Sequence, residues 1–394
     1  MAKQRRRGRT TREEDVCLIM TPTRELAAQV AGVANALAPK ADMVRFVSKP
    51  TNLMNGGEQE RLNGKRIIIG SAKSILVSLY GDGKMAASPT PKPLTSKFVK
   101  YVKWLVIDEV DKILSVKKKQ KRKHDKPGAL VATAVSRASG SKLQVVAASA
   151  TVGRPMRREL ARVLQLDMSN CPEVVRPESN SSAGSAAHEN NASSVGTHIG
   201  RAITIPSTVR NYYATTDGET VGSLLVEATN IIKNLESPNE RKILLVLSRG
   251  VGISVANTVG SLKHFRVQPT PKGLLDMLES DSDDKLIDVH REVSGATGVG
   301  LSSKTNDGYL LVTVEDSVRG LHLDGLDTVL VIGKPAGPDE YTHIAGRTGR
   351  AGNRGTVINL VTHEQAASLK SWETMLGVPF MELEAKDAST LIYT

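Results

Sequence analysis

Three carboxylates close the apolar run WLVIDEVDKIL (104–114), in the pattern Asp108-Glu109-x-Asp111. An aspartate at the end of a buried strand can hold a hard divalent cation through its water shell. A neighbouring glutamate can orient and deprotonate an attacking water. Arg347 and Arg350, in the stretch GRTGR, offer fixed positive charge of the kind that stabilises a transferring phosphoryl group. Cation, base and arginines are together the parts of a nucleotide-hydrolysing site. Singly, each has a plainer reading. Carboxylates often mark where a strand meets water, and GRTGR reads equally as a basic turn in which Gly346 and Gly349 serve the backbone.

The elements that must position these groups follow from hydrophobic patterning. In the first half, VCLIMT (16–21), MVRFVS (43–48), RIIIG (66–70), WLVIDE (104–109) and LQVVAASA (143–150) predict strands buried on both faces of a parallel sheet. Leu26, Val30, Val33 and Leu37 recur at helical spacing, which predicts a helix packed on that sheet, and 157–166 predicts another. In the second half KILLVLS (242–248), YLLVTV (309–314), TVLVIG (328–333) and GTVINLV (355–361) predict strands. Helical stretches fall near 220–235, 251–263 and 364–376. Alternating β and α elements imply two doubly wound α/β domains. The Ser-, Ala-, Asn- and Gly-rich stretch 176–200 reads as a flexible linker. We therefore expect a first domain over 1–175, a linker over 176–207 and a second domain over 208–394.

Ligands of parallel sheets collect at the carboxyl ends of strands, and the distinctive residues fall there. PTRELAAQ (22–29) follows the first strand, the carboxylates follow 104–109, and Ser149-Ala150-Thr151 ends 143–150. EDSVRGLHLDGLD follows 309–314, and THIAGRTGRAGNRG occupies 342–355.

Composition narrows the partners. The 394 residues carry a net charge of +12, with basic runs at 3–12 and 117–126, so a polyanion is favoured over a neutral ligand. Either run alone reads as a solvated loop. Aromatics make up only 3%, which argues for a grip on phosphates and sugars rather than base stacking. The two cysteines, Cys17 and Cys171, suit neither a metal cluster nor a disulfide framework, which fits an intracellular, reducing environment without naming a compartment. No apolar stretch approaches the roughly 20 residues of a membrane span.

Taken in order, these motifs resemble those of the DEAD-box ATP-dependent RNA helicases. PTRELAAQ matches the family's first RNA-binding motif, Gly56-Gly57 its double glycine, and VIDEVD the motif that names it, with valine at 110. Ser149-Ala150-Thr151 matches the motif said to couple hydrolysis to strand separation, and HIAGRTGRAG resembles the arginine-finger motif. The resemblance implies two tandem RecA-like domains with mostly parallel sheets, the first N-terminally incomplete. It also implies ATP and Mg²⁺ as cofactors, with Asp108 holding the ion through water and Glu109 activating water. Asp111 would join Ser149, Thr151 and His343 in a polar latch. Arg347 and Arg350 would reach across the cleft to the nucleotide. Pro22, Thr23, Arg24, Gly56 and Gly57, on loops, would contact single-stranded RNA by its backbone, with Lys73 standing where the family has an arginine.

The pattern also breaks. No G-x-x-x-x-G-K-[ST] occurs, and only 21 residues precede Pro22, where the family carries its phosphate loop and adenine-recognising glutamine motif. Thr313-Val314-Glu315-Asp316-Ser317-Val318-Arg319-Gly320-Leu321-His322 departs from the family's A-T-D-x-A-A-R-G-x-D, and Ile344 replaces an arginine. Two expectations follow. One is an ATP-dependent RNA helicase or RNA-remodelling ATPase whose phosphate-loop segment is missing from this chain. The other is a catalytically inactive, helicase-like RNA-binding or ribonucleoprotein-assembly factor. Family frequency makes ribosome assembly a reasonable setting for either.

Overall fold

The computed structural model describes residues 15–38, 43–47, 66–80, 97–114, 126–149, 154–166, 173–175, 205–216, 218, 220–235, 237–278, 308–321, 323 and 326–384. Gly56, Gly57, Thr151, His322, the basic run 3–12, residues 117–125 and most of the expected linker lie outside these residues.

The first unit runs β1 (Val16–Thr21), α1 (Arg24–Leu37), β2 (Val44–Val47), β3 (Ile67–Ser71), α2 (Ala72–Tyr80) and β4 (Val102–Ile107). It continues through α3 (Val110–Leu114), α4 (Pro127–Ser139), β5 (Gln144–Ala147) and α5 (Arg154–Val163). Its five strands take the order β2-β3-β1-β4-β5, all parallel. The β1–β4 register sets Leu18 beside Leu105 and Met20 beside Ile107. These four and Ile68 are fully buried in a core shared with α2 and α4. The opposite face is covered over β2, β3 and β1 by α1.

That helix forms where its spacing predicts, and Leu26 and Val30 pack inward as expected, but the rest of the expected stripe does not. Ala27, Ala28 and Ala31 are buried, whereas Val33 is 39% and Leu37 79% exposed. Small side chains let the helix axis approach the sheet closely, and the larger residues are turned to its flank. Three helices escaped the sequence reading. α2 follows β3 immediately, short α3 follows the carboxylate turn, and α4 starts at a proline in its first turn, a position where the missing N–H costs nothing.

The second unit runs β6 (Val209–Thr216), α6 (Val221–Asn234), β7 (Lys242–Leu247), α7 (Val255–His264), β8 (Pro271–Gly273) and α8 (Leu274–Leu278). Then come β9 (Tyr309–Val314), α9 (Glu315–Val318), β10 (Thr328–Ile332), α10 (Pro338–Ala345), β11 (Gly355–Thr362), α11 (His363–Lys370), α12 (Glu373–Leu376) and β12 (Met381–Glu382). Its seven strands are ordered β12-β6-β11-β10-β7-β9-β8, again parallel. Central β10 is buried at every position, as expected of a strand sandwiched between helical layers. β6 and α10 were not anticipated, and the helix expected over 364–376 is broken in two around Ser371–Trp372. Among the described residues no helix is long and apolar enough to cross a membrane.

The cores of the two sheets are largely separate. Leu105→Ala should therefore cost the first unit about 2–5 kcal/mol. In urea unfolding followed at separate probes, the first unit's midpoint should fall while the second unit's transition stays in place. A single shared transition shifted as a whole would overturn the division into two units.

Candidate active site

β4 delivers the carboxylates. The Asp108 N–H donates to Met20 O at 2.9 Å, extending the parallel ladder one residue past the strand, and the chain then turns sharply. Glu109 adopts a left-handed φ of 51°, a strained value for a residue with a side chain. That turn starts α3 and sets Asp108, Glu109 and Asp111 at the carboxyl end of the sheet. Asp108 Oδ1 accepts the Glu109 N–H at 2.9 Å. The Val110 N–H donates to Ala148 O at 2.9 Å, tying this turn to the chain that follows β5. Ser149 Oγ donates to Asp111 Oδ1 at 2.7 Å, bringing together two of the four residues expected in the latch.

The second unit closes on this cluster with an arginine that sequence reasoning quoted but assigned no role. Arg319 Nε lies 3.1 Å from Glu109 Oε2, and one of its terminal nitrogens lies 3.3 Å from Asp111 Oδ2. All three side chains are only 12–15% exposed. The Nε–Oε2 contact is ionic rather than a well-aligned hydrogen bond, since the geometry leaves both atoms without a hydrogen-bond partner. Beside it, Lys112 Nζ donates to Glu340 Oε1 at 3.1 Å, a second tie between the units. Leu26, three residues into α1, packs against Gly320, whose φ is +76°. A Cβ on Gly320 would sit 2.7 Å from Leu26 Cδ2, so the close approach needs glycine.

Glu315 was also missed. Buried at 4% exposure, its carboxylate accepts the Arg249 N–H at 3.1 Å and the Ala336 N–H at 2.9 Å. It thereby clips together the loops after β7, β9 and β10, whose last members carry Arg319 and Glu340. The signal available in sequence was position alone: an acid directly after a buried strand.

Arg347 and Arg350, expected to reach across the cleft to the nucleotide, hydrogen-bond to backbone carbonyls of their own unit. Arg347 Nε donates to His343 O at 2.9 Å, and its Nη1 donates to Leu321 O. Arg350 Nε donates to Gly346 O at 2.9 Å. These bonds stay within the second unit, where both arginines line a recess of about 370 Å³ with Asp327 and Arg354. The arginine that pairs with the carboxylates in this structure is Arg319. Burial, with Arg350 adding repulsion, lowers the Arg347 guanidinium to about 9, partly offset by the nearby Glu109 charge.

His343 sits in helix α10, 7% exposed, with Nδ1 buried and unpartnered among the described residues. Burial, then the charges of Arg319, Arg347 and Lys112, depress it to about 4, so it is neutral at pH 7. Burial raises both Asp108 and Glu109 above the ordinary carboxylate range. Arg319 opposes the shift at Glu109, and the Glu109 N–H opposes it at Asp108. Burial also pushes Glu340 upward, but Lys112 outweighs it and holds the carboxyl below its usual value.

The expected RNA contacts at the other strand ends are only partly loop residues. Thr23 is the N-cap of α1, its hydroxyl accepting the Leu26 N–H at 3.3 Å, and Arg24 is already helical. Thr21 Oγ1 braces that turn by donating to Thr23 O at 2.7 Å. Lys73 is exposed in the first turn of α2, and Pro22 lies between β1 and the cap. Pro22, Lys73, Asp108 and Ser149 thus follow four neighbouring strands along one edge of the sheet.

Comparison with known proteins bears on this arrangement. Residues 3–158 match the model of the DEAD/DEAH box helicase family. A stretch of 75 residues, 19% of this chain, is 36% identical to the DEAD-box ATP-dependent RNA helicase CshC of Bacillus cereus. A stretch of 80 residues is 36% identical to the ATP-dependent RNA helicase RhlB of Pseudomonas syringae pv. tomato. The matched stretches span only about a fifth of each relative, 19% and 20%. In fold, the chain is similar to S. cerevisiae Dbp5 bound to RNA and ADP BeF3, with a TM-score of 0.56 at 16% identity over 95% of this chain and 78% of that one. Mss116p bound to ssRNA and AMP-PNP gives 0.56 at 16% identity, over 95% of this chain and 65% of that one.

Arg319→Ala leaves two largely buried carboxylates without their cation and should cost about 3 kcal/mol in unfolding free energy. In a double-mutant cycle with Glu109→Gln the coupling should reach about 1–3 kcal/mol, and additive losses would refute the pairing. His343 gives a pH signature. Its folded value of about 4 lies below the ordinary 6.5, so the unfolded chain binds the proton that the fold refuses. Stability relative to His343→Gln should be complete above pH 6.5 and decline as pH falls from 6.5 towards 4. Denaturant titrations at pH 7, 5.5 and 4.5 measure this difference, from which the opposing shifts of Asp108 and Glu109 cancel.

Proposed function

Since the chain belongs to the DEAD-box helicase family, we propose that it is an ATP-dependent RNA helicase or RNA-remodelling ATPase, gripping single-stranded RNA by its backbone and hydrolysing ATP between its two sheets. The observation that carries this reading is the meeting of Glu109 and Asp111 with Arg319, which gathers groups from both units at the carboxyl ends of their strands. A site split between two units is silent when they part and complete when they close, which couples hydrolysis to what the units hold.

The residues present fit a magnesium ion bound with the nucleotide. Asp108 is half-buried, its carboxyl is raised by burial, and its second oxygen has no hydrogen-bond partner among the described residues. Among those residues no cluster of three or more His, Cys, Asp or Glu side chains makes a protein-only cage. One carboxylate, water and substrate phosphates are the usual magnesium environment. When bound, the ion neutralises charge on the β- and γ-phosphates. Glu109 takes the proton of the attacking water, its basicity raised by burial. Arg347 and Arg350, with the recess they share, add positive charge from the second unit. Pro22, Thr23, Arg24 and Lys73, with Gly56 and Gly57, hold the RNA backbone, so affinity should depend strongly on salt and weakly on sequence. A ribonucleoprotein in assembly is the proposed setting.

One feature favours the second reading, an inactive helicase-like RNA-binding or assembly factor. The Arg347 guanidinium commits its Nε and Nη1 to two carbonyls of its own unit.

Phosphate release with and without single-stranded RNA separates the two. Glu109→Gln should lower RNA-stimulated hydrolysis by about 10²–10⁴-fold, the worth of a positioned general base, while leaving nucleotide binding intact. Undiminished hydrolysis in that variant sinks the assignment. Salt-sensitive RNA binding indifferent to ATP, with no hydrolysis in the unaltered chain, selects the second reading.

A further inference from the structure

In the second unit, two asparagines interrupt an apolar core. Asn211 of β6 lies between Val209 and Tyr213 on one face of the sheet. Asn359 of neighbouring β11 lies between Val357 and Val361 on the same face. Asparagine is disfavoured inside strands, and a buried amide without partners is costly. Both are nonetheless buried, and so is Tyr341 of α10, which packs into the same core. The Tyr341 hydroxyl donates to Asn211 Oδ1 at 2.6 Å. Burial raises the phenol above its ordinary range and the Asn359 side chain opposes that rise, so Asn359 stands at the same hydroxyl. Asn359 Nδ2 also donates to Tyr212 O at 2.9 Å, which ties its amide to β6.

Apolar packing is non-directional and would let α10 seat on the sheet in more than one register. A hydroxyl that must find an amide fixes one register. Sliding the helix by a turn, about 5.4 Å, strands both the hydroxyl and Asn211 Oδ1 without a partner. What α10 carries makes that register consequential. Glu340, one residue before Tyr341, reaches Lys112 of the first unit. Arg347, just past the helix, donates to His343 O on α10 and to Leu321 O, two residues after Arg319. The seat of α10 is thereby passed to both ion-paired ties between the units. We propose that Tyr341 is a positioning residue for the site between the units, setting α10 from Asn211 and Asn359 so that Glu340 and the Arg319 loop meet the first unit. Its effect on hydrolysis rests on the proposed ATPase activity, whereas its effect on the ties does not.

Carbodiimide coupling of the full chain reads the seat of α10 directly, because Lys112 Nζ and Glu340 Oε1 stand 3.1 Å apart and can be joined as an amide. Tyr341→Phe keeps the ring and its contact with Phe380. It should lower the yield of the 112–340 amide about two- to tenfold, the worth of one buried hydrogen bond, with the circular dichroism unchanged. Adding Asn211→Val removes the orphaned acceptor, so the double variant should regain the parent's urea midpoint but not the amide. If Tyr341→Phe does not fold, the double variant decides alone. A parental yield of the amide in either variant assigns the three residues to stability only and overturns the proposal. In RNA-stimulated hydrolysis Tyr341→Phe should lower kcat by a similar factor at unchanged KM for ATP, and a raised KM at unchanged kcat also overturns it. A parent chain that hydrolyses nothing removes the ATPase reading and leaves the amide yield to decide the positioning.

Discussion

One guanidinium shared by two carboxylates ties the two sheets together. Arg319 stands within ion-pair distance of Glu109 and Asp111, in surroundings where all three are largely withdrawn from water. Removing charges from water costs several kcal/mol each, and their attraction offsets that cost only when the geometry holds. The pairing is therefore conditional. It favours closure when Arg319 is seated and disfavours any half-open arrangement in which the carboxylates stay buried alone. The supporting contacts share this dependence. Lys112 with Glu340, and Leu26 against Gly320, lie on the same line of approach and are made or lost together.

The positions of these groups trace back to backbone rather than to side-chain affinity. The Asp108 N–H belongs to the β-ladder, the Val110 N–H is held by Ala148 O, and the left-handed turn at Glu109 lies between them. Two fixed points one residue either side of Glu109 hold its strained φ in place. On the other unit, Glu315 performs the matching service with a side chain, gathering two loop N–H groups so that Arg319 and Glu340 emerge at fixed places. A strained turn and a buried carboxylate clip thus face each other. Both are elements with few alternatives once their sheets have formed, which is what a site assembled from two bodies requires.

Much of this was legible in the residues. Continuous β-branched runs located most of the parallel strands, because a strand buried on both faces has no polar alternation to confuse the reading. The meeting of the carboxylate motif with Ser149 was legible because residues that follow neighbouring parallel strands share one end of the sheet. Arg319 was not, although it stands in plain view at 319: a single arginine in a loop has no local signature, and its role depends on which surface the other unit presents. α1 shows a different failure. Its spacing pointed to Leu26, Val30, Val33 and Leu37 as the buried stripe; Leu26 and Val30 do pack inward, but Val33 and Leu37 are exposed and Ala27, Ala28 and Ala31 are buried instead. Periodicity locates a helix, while close packing selects the face by size as well as by hydrophobicity. The arginines of GRTGR were read by type, and type alone does not say that Arg347 gives two of its nitrogens to neighbouring carbonyls.

The two sheets differ in how completely they are covered, and the difference has energetic meaning. β10 is buried at every position, whereas β5 alternates between exposed and half-exposed, with Val146 60% and neighbouring Trp104 41% exposed. Trp104 Nε1 donates to Gln144 Oε1 at 2.6 Å, a polar tie across β4 and β5 on the same face as α1 but beyond the strands α1 covers. A parallel strand gains stability from apolar cover on both faces, and each exposed valine forgoes a good part of the roughly 1.5–3 kcal/mol that full burial would contribute. The cohesive centre of the second unit is therefore β10 with its flanking strands, while the first unit is firm around β1 and β4 and weak towards β5. Ser149 follows that weak strand, and its hydroxyl holds Asp111. Whatever orders or loosens β5 is thereby linked to the carboxylates, because the turn that leaves this short strand carries Ser149.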